Sequence, residues 1–195
     1  MQLTPRFEQA LQYACIIHAG QRRKGSKVPY ISHLLAVTSL VIEHGGSEDE
    51  AIAGLLHDAG EDAGGKKRIS DIRIRFGDTV ADLVVSCTDT LMEHKPEWSS
   101  RKEAYVATIP HKSAAELLVT VADKLHNSRS ILHDYRQIGD ALWGRFTGGK
   151  DGTLWYYRAL TDAFMTAPNR MRCQTLIEEL NRVVSTLEHE VKTQR

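Results

Sequence analysis

The run Leu55-Leu56-His57-Asp58-Ala59-Gly60-Glu61-Asp62 sets the reading of this chain. It closes an apolar stretch that begins near Ala51, downstream of Ser47 and Glu50. A serine three residues ahead of a glutamate, followed by apolar residues, is the pattern of a capping box, so the spacing predicts a helix from Ser47 through about Asp58. At about 3.6 residues per turn, His57 shares a stripe with Glu61, and Asp58 shares the next with Asp62. Three carboxylates crowded on a half-buried helix edge repel one another unless a cation neutralises them. A divalent metal answers that need. The plain alternative is an acidic, solvated helix end.

Outward from this run, nearly every segment carries helical spacing. Residues 4–19 place Phe7, Ala10, Leu11 and Ala14 on one face, after Thr4-Pro5, a capping hydroxyl and a proline suited to the first helical position. A basic loop, Gln21 to Pro29, leads to a helix over 30–44 that stops at Gly45-Gly46. Residues 63–68 read as a Gly/Lys loop, Ser70 to Phe76 as a short helix, and Asp78 as the cap of another through about Thr88. Residues 89–100 read as a polar loop, with helix resuming near Ser99 to Thr108. A long helix is expected from Ser113 to about Asp134, a Gly-rich loop over 139–153, and two closing helices, Leu154 to Ala167 and Met171 to about Lys192. No stretch alternates polar and apolar residues as a half-buried strand does. The expected fold is all-α, a helical bundle spanning residues 1–195 as a single domain, with its motif core at about 5–165 and C-terminal helices over 154–192.

The composition narrows the partners. Lys+Arg and Asp+Glu number 25 each, which argues against a general nucleic-acid binder while allowing a local basic pocket for one phosphorylated small molecule. No apolar run reaches the ~18–20 residues that span a bilayer, so no membrane partner is expected. The cysteines, Cys15, Cys87 and Cys173, stand far apart in no metal spacing and read as reduced thiols, so a cytoplasmic location is expected.

Two other segments supply pieces that match the central run. His33 sits early in a helix with an apolar remainder, and Asp123 lies inside the apolar stretch Val119 to Leu125, where a lone carboxylate needs a partner. Two imidazoles and two carboxylates form a mixed nitrogen and oxygen set that suits Mn²⁺, Fe²⁺ or another first-row ion.

The ordered set of His33, His57-Asp58 and Asp123 resembles the HD superfamily of metal phosphohydrolases. Three motifs narrow the resemblance: RRKGSKVPYISH (22–33), LLHDAGED (55–62) and VADKLHNSRS (121–130). They are similar to the hydrolase domain of the RelA/SpoT family and its stand-alone small alarmone hydrolases, the metazoan SpoT homologues among them. The resemblance implies an HD-domain helical bundle, Mn²⁺ as cofactor, and removal of the 3′-pyrophosphate of ppGpp or pppGpp to give GDP or GTP. It carries His33, His57, Asp58 and Asp123 over as metal ligands and Glu61 and Asp62 as the catalytic acidic pair, with Glu61 nearer the hydrolytic water. It implies that Arg23 stacks on the purine, that Lys24 offers charge to phosphate, and that Asn127 and Ser130 contact ribose or phosphate. Val28 stands where the family commonly has Glu or Thr, which leaves guanine and adenine alarmones open.

The glycine-bracketed Lys150, with Arg145, suits a pyrophosphate clasp. Trp155, Tyr156 and Tyr157 read as core, one tyrosine being expected near phosphate by resemblance. His126 is left outside the site because its helical angle is read as pointing away from Asp123; His18, His94, His111, His133 and His189 are read as structural or surface. Two other functions fit the same motifs: an HD phosphohydrolase for another phosphorylated purine (ppApp, NADPH or a nucleotide), and a non-catalytic alarmone-binding module.

Overall fold

A computed structural model of the chain describes residues 1–90 and 96–193, apart from the side chain of Asp62. His94 and part of the expected 89–100 loop lie outside the described residues. Every regular element among those described is helical, and the one isolated extended pairing joins Arg22 to Pro29 across the basic loop.

Helix α1 (Pro5–Ile17) starts as its sequence dictates, with the Thr4 hydroxyl accepting from the Arg6 N–H. Helix α2 (Ile31–Glu43) carries His33 in its first turn. Helix α3 (Glu48–Leu56) opens on the full capping box, Ser47 and Glu50 each bonding the other's backbone. From Glu50 to Leu56 every residue of α3 is buried. Gly54 explains how α2 and α3 come so close: a Cβ there would stand 3.2 Å from the Thr38 Cα. This close crossing brings His33 of α2 near His57, the residue that ends α3.

The helix does not run on through Asp58, as the sequence reading expects. It breaks at His57-Asp58, and Ala59–Asp62 forms a separate single turn, α4. The expected His57/Glu61 and Asp58/Asp62 stripes therefore do not exist as stripes of one helix. Helix α5 (Gly65–Phe76) begins earlier than expected and absorbs most of the Gly/Lys loop; positive φ at Gly64 and Gly65 turns the chain into it. Helix α6 (Asp78–Cys87) has Gly77, not Asp78, at its cap. Helix α7 (Trp98–Thr108) precedes α8 (Ala114–Ile138), which is buried without a break from Leu117 to Asp123. A helix apolar all round belongs at the centre of a bundle, and α8 packs against α2, α3, α6, α9 and α10.

Helix α9 (Gly149–Thr166) takes in Lys150 and two of the five glycines expected to form a loop, Gly149 and Gly152. Gly148 and Gly152 face the Trp98 indole, which would sit 2.6 Å and 3.1 Å from a Cβ at each. These glycines make room for a tryptophan rather than wrap an anion. Helix α10 (Gln174–Thr193) lays Leu176, Ile177, Leu180, Val184, Leu187 and Val191 on α8 and α9. One apolar core runs from Ala10 to Val191.

Glu50 ties the α3 cap to the C-terminal part of the chain. It is 3% exposed and accepts from both terminal nitrogens of Arg172, at 2.5 and 2.8 Å, and from the Ser47 N–H. Burial pushes its carboxyl up, but Arg172 and the Ser47 bonds outweigh this and hold its pKa below the ordinary value. A depressed folded pKa means the stabilisation is present above the unfolded value of about 4.3 and is lost as pH falls through the folded value. Glu50→Gln is expected to cost about 2–3 kcal/mol near neutral pH, less than for a fully buried pair because Arg172 keeps some solvent. The variant's stability should also change less than that of the native chain as pH falls below about 5. Urea unfolding of both across pH checks this; equal pH profiles would show that Glu50 is not the acid-sensitive link.

Candidate metal centre and adjoining cavity

His33, His57, Asp58 and Asp123 meet where α2, the α3–α4 break and α8 converge. His33 and Asp123 are 0% and 4% exposed, and His57 is 1% exposed. The His57 Nε2 stands 3.0 Å from Asp58 Oδ2 and 3.5 Å from Asp123 Oδ1, while the His33 Nε2 stands 3.5 and 3.2 Å from the same two oxygens. Neither Nε2 makes a hydrogen bond, although both are buried. Leaving buried ring nitrogens unpaired is costly. Donor atoms about 3.0–3.5 Å apart have the spacing of neighbouring ligands around one first-row ion, whose bonds are about 2.0–2.2 Å long.

Charge supports the same fit. Burial would push both carboxyls up, yet His57 and His33 beside Asp58, and Lys124 beside Asp123, hold them well below the ordinary range. Burial lowers the His57 imidazole, yet Asp58 and Asp123 together raise it well above its usual value. The four groups demand positive charge at one point, which a divalent ion provides. The residues present therefore fit the metal. His57 ends α3 and Asp58 leads into α4, and the side chains of these adjacent residues meet at this point.

Each ligand is held from outside. The His57 Nδ1–H donates to the Gly54 carbonyl at 2.9 Å, leaving the Nε2 lone pair for the ion. Tyr30 Oη donates to Asp58 Oδ2 at 2.5 Å. Asn127 Nδ2 donates to Asp123 Oδ1 at 2.5 Å, and Lys124 Nζ donates to Asp123 Oδ2 at 2.7 Å. The His33 Nδ1 lies 2.7 Å from the Nδ1 of His126. Burial, then His33 and Arg23, lower His126 to about 4, so its ring is neutral near pH 7. Leaving His126 outside the site is thus corrected. Three residues after Asp123, it stands only about 60° around α8. Tyr30, Lys124 and His126 are the contacts that sequence reasoning missed; all three stand inside the quoted motifs, and the helical angle could have found His126.

Beside the metal centre opens a cavity of about 870 Å³. Arg23, Lys24, Asn127 and Ser130 line it, together with Tyr30, His126, Phe146 and Tyr157. Arg23 lies 5.8 Å from the Tyr30 ring centroid and donates to Asn127 Oδ1 at 2.7 Å, so a chain of contacts runs from the basic loop to Asp123. Lys24 lies 5.7 Å from the Phe146 ring centroid. Ser130 Oγ donates to the His126 carbonyl at 3.0 Å.

Glu61 lies half-buried in α4; burial lowers the pKa of Lys102 and raises that of Tyr156, and the charge of Glu61 is the least of the influences on either. Lys102 Nζ donates to Asp89 at 2.8 Å and sits 4.8 Å from the Tyr156 ring centroid; neither residue lines the 870 Å³ cavity. Lys124, held on Asp123, brings one positive charge directly against the metal centre. The side chain of Asp62 lies outside the described residues.

Lys150 is not brought to the site. Its Nζ pairs with Asp140 at 3.1 Å, and it lines a separate cavity with Arg158 and Glu188. Arg145 pairs with Asp134 and lies across Gly25, bracing the basic loop. The expected pyrophosphate clasp is not assembled, because α9 begins at Gly149 and turns Lys150 away. Trp155 is 41% exposed, against its reading as core, whereas Tyr156 and Tyr157 are buried.

Residues 10–153 match the HD domain, and the chain belongs to the HD-domain family. Its relatives define a narrower kind. The guanosine-3′,5′-bis(diphosphate) 3′-pyrophosphohydrolase MESH1 of Xenopus tropicalis is 37% identical over 126 residues, covering 63% of this chain and 68% of that protein. The GTP pyrophosphokinase of Streptomyces antibioticus is 35% identical over 133 residues, 67% of this chain but 15% of that far longer protein. Among solved structures, a metazoan orthologue of SpoT that hydrolyses ppGpp superposes with a TM-score of 0.76 at 25% identity, covering 95% of this chain and 97% of its own. The lmo0812 protein of Listeria monocytogenes superposes at 0.70 with 31% identity, over 80% of this chain and 97% of its own.

Proposed function

We propose that this protein, acting as one HD unit across residues 1–195, hydrolyses the 3′-pyrophosphate of ppGpp and pppGpp, with Mn²⁺ as its preferred ion and the cytoplasm as its location. The observation that carries the reading is the meeting of His33, His57, Asp58 and Asp123 beside a cavity whose walls hold Arg23, Lys24 and Asn127. When bound, the divalent ion supplies Lewis-acid activation of the attacking water and offsets phosphate charge. The guanidinium plane of Arg23 stacks on the purine, and Lys24 offers a point charge to phosphate. Asn127 and Ser130 contact the ribose or its phosphates. Glu61 accepts the proton of the water whose oxygen bonds to the 3′-linked phosphorus. The bond from that phosphorus to the ribose O3′ breaks, its electron pair stays on O3′, which takes up a proton from solvent, and the products are pyrophosphate and GDP or GTP.

The test is release of GDP and pyrophosphate from ppGpp with Mn²⁺, repeated after chelation. Release that stops on chelation supports the reading. A folded, metal-loaded protein that releases nothing overturns ppGpp as substrate and directs the assay to ppApp and NADPH. Within this assay, Arg23→Ala is expected to raise KM about 10- to 30-fold with kcat within about twofold, the loss of one stacking contact of roughly 1–3 kcal/mol. A loss confined to kcat would contradict a stacking role.

A further inference from the structure

The two imidazole ligands are held in different ways. His57 leans on a backbone carbonyl, Gly54 O, which no side-chain substitution removes. His33 leans on a side chain, with its Nδ1 2.7 Å from the Nδ1 of His126 and ring centroids 4.8 Å apart. One proton lies between those two nitrogens, and the chemistry fixes whose it is. The His33 Nε2 faces Asp58 and Asp123 and must be a lone pair to bind a cation. The proton of His33 therefore sits on Nδ1 and is donated to His126, whose own proton is on Nε2. Without this acceptor the buried His33 could place its proton on Nε2, in the position the ion needs.

We propose that His126 is a positioning residue that fixes the tautomer and ring orientation of His33, and so sets metal affinity. This rests on the metal-centre part of the functional reading. A hydrogen-bonded outer partner of this kind is worth roughly 10- to 100-fold in metal affinity.

The test is Mn²⁺ titration of the metal-free protein, native and variant, with the thermal midpoint of the metal-free form as control. His126→Phe removes the acceptor and should weaken Mn²⁺ binding roughly 10- to 100-fold while the metal-free midpoint stays within a few degrees. His126→Leu replaces it if the larger ring unfolds the chain. His126→Asn puts an amide oxygen near the Nδ1 position and should recover binding to within about threefold of native. Binding by the apolar variant within twofold of native overturns the proposal. So does an Asn variant as weak as the apolar one, since the contact would then be packing rather than a hydrogen bond. A native protein that binds no Mn²⁺ would instead remove the metal centre itself, an outcome the native titration separates from the other two.

Discussion

Asp58→Ala is expected to abolish divalent-ion binding and to lower kcat/KM by about a thousandfold or more, while the metal-free protein keeps its fold. Asp58 contributes the oxygen nearest to His57 Nε2, at 3.0 Å, and the same oxygen lies 3.5 Å from His33 Nε2. Removing it leaves Asp123 as the only other carboxylate among the proposed ligands. A bound ion contributes several kcal/mol of charge stabilisation, and each ~1.4 kcal/mol is tenfold in rate, which gives the thousandfold figure. The fold should survive because Asp58 makes no side-chain cap on α4 and its side chain is 22% exposed. Tyr30 Oη loses its acceptor, but Tyr30 lines the cavity, where water can replace it. Metal content by atomic absorption, turnover and the metal-free thermal midpoint are the three readouts. A variant that keeps full turnover would remove Asp58 from the ligand set.

The sequence was legible where the physics is local. Thr4-Pro5 and the Ser47/Glu50 box predict helix starts because the capping atoms lie within three residues of one another, and both form as read. His57-Asp58, His33 and Asp123 could be grouped because each stood in a motif with its own short-range logic. What escaped the reading depends on contacts far apart in the chain. Gly148 and Gly152 look like loop residues until Trp98, about 50 positions earlier, is placed against them. The Lys66-Lys67-Arg68 run follows two glycines and reads as loop, yet Arg68 bonds the Ala63 carbonyl and the Tyr13 hydroxyl, which hold the first turn of α5 in place. The break at His57-Asp58 was hidden because the apolar run before it continues the helical pattern up to its last residue. Lys150 was misplaced by composition alone: glycines around a lysine suggest an anion clasp, but their packing against Trp98 makes them the start of a helix.

Glu61→Gln should separate chemistry from binding at the same centre. The substitution keeps size and hydrogen bonding but removes the group able to accept a proton. Mn²⁺ affinity is expected to stay within about threefold of native, because Glu61 is not among the converging donor atoms. KM should also change little, since the purine cavity is lined by Arg23, Lys24 and Asn127, not by Glu61. Turnover should fall by about 10²- to 10⁴-fold, the usual worth of a positioned general base. The geometry favours this assignment because α4 is a separate turn directly after Asp58. That turn places Glu61 three residues past the proposed ligand Asp58 and outside the lining of the base-binding cavity. Asp62→Asn in the same assay divides the acidic pair. If Glu61 is the base and Asp62 supports it, the Asn variant retains at least tenfold more activity than the Gln variant. If the order is reversed, Asp62 takes the proton and Glu61 becomes the support. If Glu61→Gln turns over at the native rate, Glu61 has no part in the mechanism, and the proton must leave by another route.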